Sequence, residues 1–466
     1  MPDAKLFFGA SRRAGFAEAV AVNVLAEPDP TSQIAPVAAI ARPGLSGLQS
    51  IGSAPIRALF QKNGLFSDAA LVVAQQTVYT LSAGGTATAQ SGSSIAGDDL
   101  VIIAAAQDPD GNDIARFATG DALYKLTLGV VSQETFPDSG NAGATSVAYL
   151  QGYWLASVPG SDFVYYLEPG GATWNVLQFA AAEYAFDRLK GIRVFGELIA
   201  MLGEETTEFW RITGDAASPI EPAGGLKFDI GCKSIHAAIN CAGTLIWVDQ
   251  NGSVWMSNGG APVPISDNSL AAEIGATAPE DIRATYWVKN QHPVYHLTLG
   301  TSATWLYDLA AKAWTRATSL GRDYWRAHLT CNIGDTVLAA DHISNLIWTL
   351  DPDRRDDDGD TFTVEVSARI EVPSGTMQLY NVELDCLLGE APLTGQGSNP
   401  LIALQVCRDG VTYGGPSFRS LGVSGARQVA PKWNALGQLK GPFGGLLRFY
   451  VSDPVGRRFS AVRYNV

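Results

Sequence analysis

Between residues 54 and 353 the apolar residues fall mostly in short, strand-like runs joined by tight turns. Inside these runs a short pattern recurs: aliphatic, aromatic, any residue, and usually aliphatic. It appears at Val78-Tyr79-Thr80-Leu81, Leu123-Tyr124-Lys125-Leu126, Val164-Tyr165-Tyr166-Leu167 and Phe209-Trp210-Arg211-Ile212. It returns at Val254-Trp255-Met256-Ser257, Leu306-Tyr307-Asp308-Leu309 and Ile347-Trp348-Thr349-Leu350. Successive aromatics are 45, 41, 45, 45, 52 and 41 residues apart, the repeat length of a β-propeller blade. Each copy follows an apolar run and a tight turn. Leu245-Ile246-Trp247-Val248, for example, reaches Trp255 through Asn251-Gly252, a dipeptide that predicts a type I′ hairpin because both its residues accept positive φ. One hairpin per unit leaves room for two more short strands, so the pattern predicts four-stranded blades whose aromatic face packs on the next blade.

The repeat predicts an all-β chain: a propeller over 54–353 with about seven blades, six if one hairpin belongs elsewhere. Residues 1–53 lack the period. They read as an extended N-terminal arm with one or two strands, marked by Pro28, Pro30, Pro36 and Pro43. Residues 354–360 form an acidic run with Gly, the composition of a solvated linker. Residues 361–466 alternate again at Thr361–Val366 and carry further strand-like runs at 401–406, 446–451 and 459–464, predicting a small β-sandwich. Glu168 and Asp308 are each followed six residues later by a tryptophan, Trp174 and Trp314, read as opening the next strand.

Composition refines this picture. The net charge is −14, which argues against adhesion to nucleic acid through phosphate contacts. Residues 361–466 hold ten Lys and Arg against seven Asp and Glu, leaving −17 on the rest; such asymmetry can orient docking on an acidic partner. Five cysteines with no C-x-x-C pair point to buried free thiols, not to a disulfide framework or a zinc site. Met1–Ala10 is too short and polar for a signal peptide, and Arg12 and Arg13 precede no long apolar run. No run reaches the ~18 apolar residues of a membrane helix, so the expectation is a cytoplasmically made, soluble protein.

Chemistry is sparse. The histidines are His236, His292, His296, His328 and His342, and none builds a zincin motif; no nucleophile elbow and no phosphate-binding glycine loop is present. His292 and His296 would share a strand face, two ligands without a third. Asp351–Asp360 and Asp108–Asp113 resemble calcium loops only weakly, since the closing Glu or the glycine position is wrong. Asp249–Trp255 is similar to a sialidase Asp-box with one residue too many. No catalytic, cofactor-binding or metal residue is assigned and no cofactor is expected. Paired carboxylates in a propeller funnel leave glycosidase chemistry open.

Three features carry a family resemblance: Val22-Asn23-Val24-Leu25-Ala26-Glu27-Pro28 with Arg42-Pro43-Gly44-Leu45, then Thr207–Gly214, then the order of arm, propeller and C-terminal β-domain. Together they resemble the packaged-DNA stabilisation proteins of short-tailed bacteriophages, the tail hub or nozzle subunits. The resemblance spans nearly the whole chain. It implies a non-enzymatic virion protein of the tail, assembled as a hexameric ring below the portal and its adaptor. Such a ring extends the double-stranded DNA channel without sequence-specific binding, retains the packaged genome, and docks a tail needle or plug and tail spikes or fibres. The alternative is a propeller that binds glycans or proteins, or a polysaccharide hydrolase.

Overall fold

The computed structural model describes residues 3–11, 17–28, 37–137, 143–182, 187–216 and 218–466. Arg12, Arg13, Pro30 and Pro36, noted above, lie outside these.

Seven sheets form the propeller. Their first strands are Ile56–Phe60, Ile102–Gln107, Ser146–Leu150, Leu189–Phe195, Ile239–Cys241, Ile282–Lys289 and Ala327–Ile333. Each packs against the first strand of the next blade, and the seventh returns to the first, so these strands line a central channel. In six sheets the next three strands follow in sequence order, antiparallel, outward from the channel. Every copy of the aromatic pattern lies in a third strand, from Thr77–Leu81 in the first blade to Leu346–Asp351 in the seventh. There its aromatics pack between blades: Tyr124, Tyr165, Trp210, Tyr307 and Trp348 are buried. The cores run from blade to blade. Val73 of the first blade meets Phe117 of the second, and Leu338 of the seventh meets Val72 of the first. Burying both faces of each sheet this way stabilises the ring at about 25 cal/mol per Å² of apolar surface.

The seventh blade lacks a sequential fourth strand. Gly44–Ser50 supplies it, antiparallel to Leu346–Asp351. The boundary drawn at residue 53 therefore places with the arm a strand that closes the ring. Closure between the two ends of the repeat leaves no open sheet edge there. Trp314 does lie in a fourth strand, Ala313–Ala317, but Trp174 lies in the loop before Phe179–Ala181. The Asn251-Gly252 turn also differs from expectation. Only Gly252 has positive φ (95°), and the Asp249 carboxylate holds the turn by accepting from the backbone N–H groups of Asn251 and Ser253, each at 2.8 Å.

Residues 361–466 form a sandwich of two sheets, and the arm is part of it. Val24–Pro28 and Val37–Ala41 extend the sheet of Arg458–Asn465, Thr376–Cys386 and Lys432–Lys440, while Leu6–Phe7 extends the sheet of Val364–Arg369 and Leu446–Val451. Val24 and Ala39 of the arm share one core with Val366, Val382, Trp433 and Phe449. No helix among the described residues is long and apolar enough to cross a membrane.

Candidate functional site: the junction of arm, propeller and sandwich

The arm crosses from sandwich to propeller at two short segments, and these carry a dense, buried polar cluster. Val22 forms bridges with both Arg316 of blade six and Glu365 of the sandwich. Asn23, at φ 57°, takes the left-handed conformation that asparagine tolerates better than most residues. Its Oδ1 accepts from Arg42 Nε and from the backbone N–H of Thr318, both at 2.8 Å. Its Nδ2 donates to Thr318 Oγ1 and to the Thr363 carbonyl, both at 2.8 Å.

Arg42 is fully buried and uses all five of its N–H donors. Nη1 donates to Asp357 Oδ1 and to the Pro43 carbonyl at 2.9 Å; Nη2 donates to Asp357 Oδ2 and the Thr318 carbonyl at 2.8 Å. The guanidinium lies 3.9 Å from the centroid of Phe362 and 4.5 Å from that of Trp325, which adds cation–π attraction. Ser319 Oγ completes the Asp357 carboxylate at 2.9 Å. One side chain thus joins the arm, the blade-six exit, the 354–360 run and the sandwich.

This corrects the reading of 354–360 as solvated for residues 354–357, while Asp358, Gly359 and Asp360 are exposed. Asp357 is 3% exposed, Asp356 accepts from Arg354 Nε at 2.6 Å, and Asp356–Asp357 lies beside Gly44–Ser50. Gly44 is required at this approach, because a Cβ there would come within 2.3 Å of the Asp356 carbonyl. Nearby, Arg457 is 4% exposed and donates to the carbonyls of Phe362 and Arg355 at 2.7 Å. Burial pulls its guanidinium down to about 9. It packs inward and is not a docking charge. Arg458 pairs with Glu27, Arg463 with Asp385, Arg448 with Glu365 and Arg427 with Glu390. Of these acids only Glu27 lies outside residues 361–466, so the other three pairs leave the domain's positive excess unchanged.

Of the residues considered for chemistry, His292, His296, Asp249 and Asp108 are engaged in structure. His292 Nδ1 lies 2.5 Å from Asp308 Oδ2, and His296 stacks on Trp325. Asp249 Oδ2 accepts from Trp255 Nε1 at 2.8 Å, and Asp108 closes its own turn on Asn112. All five cysteines are free thiols; burial pushes Cys232, Cys331 and Cys386 up to about 12.

The ring closure and the arm's side of the junction lie within the stretch that matches a family model described as bacteriophage P22 Gp10, β-propeller, over residues 4–355; Asp357, Phe362 and Arg457 lie beyond it. The chain belongs to this phage-stabilisation family. It is a structural β-propeller of the P22 Gp10 kind, and the family places it in the virion. The matched stretch starts in the arm and ends at the acidic run, so it contains Asn23 and Arg42 together with the whole propeller. No curated protein matches the sequence. Among solved structures, the extracellular domain of a putative hybrid two component system, BT4673 of B. thetaiotaomicron, aligns at 8% identity and TM-score 0.46, covering 86% of this chain and 57% of that one. Chaetomium thermophilum Raptor aligns at 10% identity and TM-score 0.44, covering 66% and 29%. The chain spans little more than half of the first of these and less than a third of the second.

Proposed function

We propose that this Gp10-family propeller is the tail hub, or nozzle, subunit of a short-tailed phage. Six copies form a ring below the portal and its adaptor, extend the channel for the double-stranded DNA, help retain the packaged genome, and dock needle and fibres. The observation that carries this reading is the double closure of the chain. The arm completes the seventh blade and two sandwich strands, and Arg42 locks the three parts together. A ring under pressure from confined DNA needs such a body, with its sheet edges joined and its parts unable to separate cheaply. In this reading the duplex follows the axis of the ring, and the net −17 of residues 1–360 disfavours adhesion of its phosphates.

Contacts with neighbours fall on the C-terminal sandwich. Of the twenty large apolar side chains exposed among the described residues, ten lie beyond residue 360, including Leu393 at 86%, Val429 at 80% and Phe418 at 50%. Clustered exposed apolar residues mark interaction surfaces. A non-catalytic role is part of this proposal, in keeping with the structural β-propeller family to which the chain belongs. The test is immunogold labelling of intact virions in negative stain. Gold at the tail is expected; unlabelled virions with the protein free in the lysate would overturn the reading.

A further inference from the structure

The propeller's own channel holds a cavity of about 740 Å³, within the size range of small-ligand sites. Its lining has an unexpected charge. In a chain of net charge −14, the wall carries Arg57, Arg193, Arg283 and Lys62 and no Asp or Glu. These cations differ from several other arginines of the molecule. Arg42 is matched to Asp357, Arg116 to Glu134 and Arg326 to Asp341. The four channel cations form no ion pair among the described residues.

What they touch instead is neutral. Arg57 donates to the carbonyls of Asp99, Gln75, Ile95 and Ala96, and Lys62 to that of Ala105. Arg193 Nε and Nη2 donate to the carbonyls of Ala238 and Ile235 at 2.6 and 2.8 Å, which fixes the guanidinium against the fifth blade. Arg283 is the least satisfied. Among the described residues its one hydrogen-bond partner is the ring of His342, reached by Nη2 at 3.1 Å, and its buried Nε has none. Burial pulls all four cations down, Arg193 to about 10, and outweighs the opposing pull of Asp98 and Asp99 on Arg57 and of Asp281 on Arg283, carboxylates that lie outside the cavity wall. Arg193 and Arg283 also act together on His236, which lines the same cavity: burial and the two guanidiniums hold its ring down at about 3.

We infer that the channel is a binding site for a multivalent oxyanion of the phosphate type, held between Arg193 of blade four and Arg283 of blade six with His236 of blade five beside it. The charge missing from the wall is the charge a ligand supplies. A lone carboxylate is satisfied by one guanidinium fork. Donors converging from three successive blades suit an ion with three or four oxygens instead. The two sources of that chemistry are a free inorganic phosphate and the phosphate chain of a nucleotide. Tyr149 and Tyr286 in the same wall give a base a surface to stack on. The site is independent of the ring-forming role proposed above, because it lies inside one propeller.

The test is isothermal titration of the full chain at low ionic strength with sodium pyrophosphate, ATP and citrate, each against a chloride control of equal ionic strength. Saturable binding of one pyrophosphate or ATP per chain is expected. Arg283→Gln should weaken it at least tenfold and Arg283→Lys less, while Arg211→Gln, at an exposed pair with Glu221, should leave it unchanged. Equal affinity for pyrophosphate and ATP supports free phosphate as the ligand, and ATP binding tenfold tighter supports a nucleotide. Citrate binding as tightly as pyrophosphate would overturn the phosphate assignment, and heats equal to the chloride control would overturn the site. Should Arg283→Gln fail to fold, crystals of the wild-type chain soaked in tungstate decide the matter. An anomalous peak between Arg193 and Arg283 supports the site, and its absence there refutes it.

Discussion

Replacing Arg42 by Met keeps most of the side-chain volume and removes the charge. The Asp357 carboxylate, 3% exposed, would then keep only Ser319 Oγ, while Asn23 Oδ1 and the Thr318 and Pro43 carbonyls each lose a donor. Removing one partner of a buried pair destabilises by about 3–5 kcal/mol. The loss should be local at first, because the latch joins parts that have their own cores. A chain of this size is not one two-state unit, so amide hydrogen exchange read by mass spectrometry suits better than a melting temperature. Exchange in peptides over 44–50 and 354–362 should accelerate by roughly two to three powers of ten, at 1.4 kcal/mol per tenfold, while a peptide over 163–167 in blade three should not change. Adding Asp357→Leu to Arg42→Met should recover at least half of the loss, since an apolar pair can replace a buried ion pair. An acceleration below about tenfold at the latch, or an equal one in every blade, would refute the argument that this ion pair holds the three parts together.

Asn23→Gly keeps the left-handed backbone and deletes only the side chain; a loss of about 1–3 kcal/mol is expected from the groups left unsatisfied, measured by urea unfolding. Gly44→Ala must move the Asp356 carbonyl and should destabilise by about 1–3 kcal/mol; an unchanged urea midpoint would count against the close approach. Removing residues 1–53 strips blade seven of its outer strand and the sandwich of Val24–Pro28 and Val37–Ala41, so the product should aggregate on size exclusion, where a clean monomer peak would contradict the closure. Stability should also fall with acid. The folded chain holds His296, fully buried, at about 3 because burial and the Arg42 and Arg283 charges disfavour its protonation. The unfolded chain takes up that proton below about 6.5, so stability is full above that value and declines as pH falls toward 4.5. The contribution of this one residue is at most about 1.4 kcal/mol per pH unit. His296→Phe, which keeps the stack on Trp325, should flatten the pH dependence of urea unfolding between pH 6.5 and 4.5 by a measurable part of that slope.

The sequence by itself determined the repeating unit. Every aromatic copy from Tyr79 to Trp348 occupies a third strand, because packing a sheet on both faces demands bulky apolar residues at fixed strand positions, and a period of two within strands makes that demand visible. The C-terminal strands were legible for the same reason. What only the tertiary structure decided is how the distant pieces meet. Gly44–Ser50 lacks the aromatic pattern, since an outermost strand is half-exposed, so nothing local marks it as the seventh blade's fourth strand. Asp357 sits in a run that resembles any solvated loop, and its burial depends on Arg42, 315 residues away in sequence. The Trp174 loop shows the same limit: its ring is fixed by Glu134 Oε2 at 3.1 Å, a partner forty residues earlier. Three of the channel's cations, Arg57, Arg193 and Arg283, lie on different first strands, at positions where apolar neighbours dominate. Only closing the ring brings Arg57, Arg193 and Arg283 to one cavity without a carboxylate, because charge balance in a folded chain is a property of what lies nearby in space, and local patterning encodes neighbours along the chain alone.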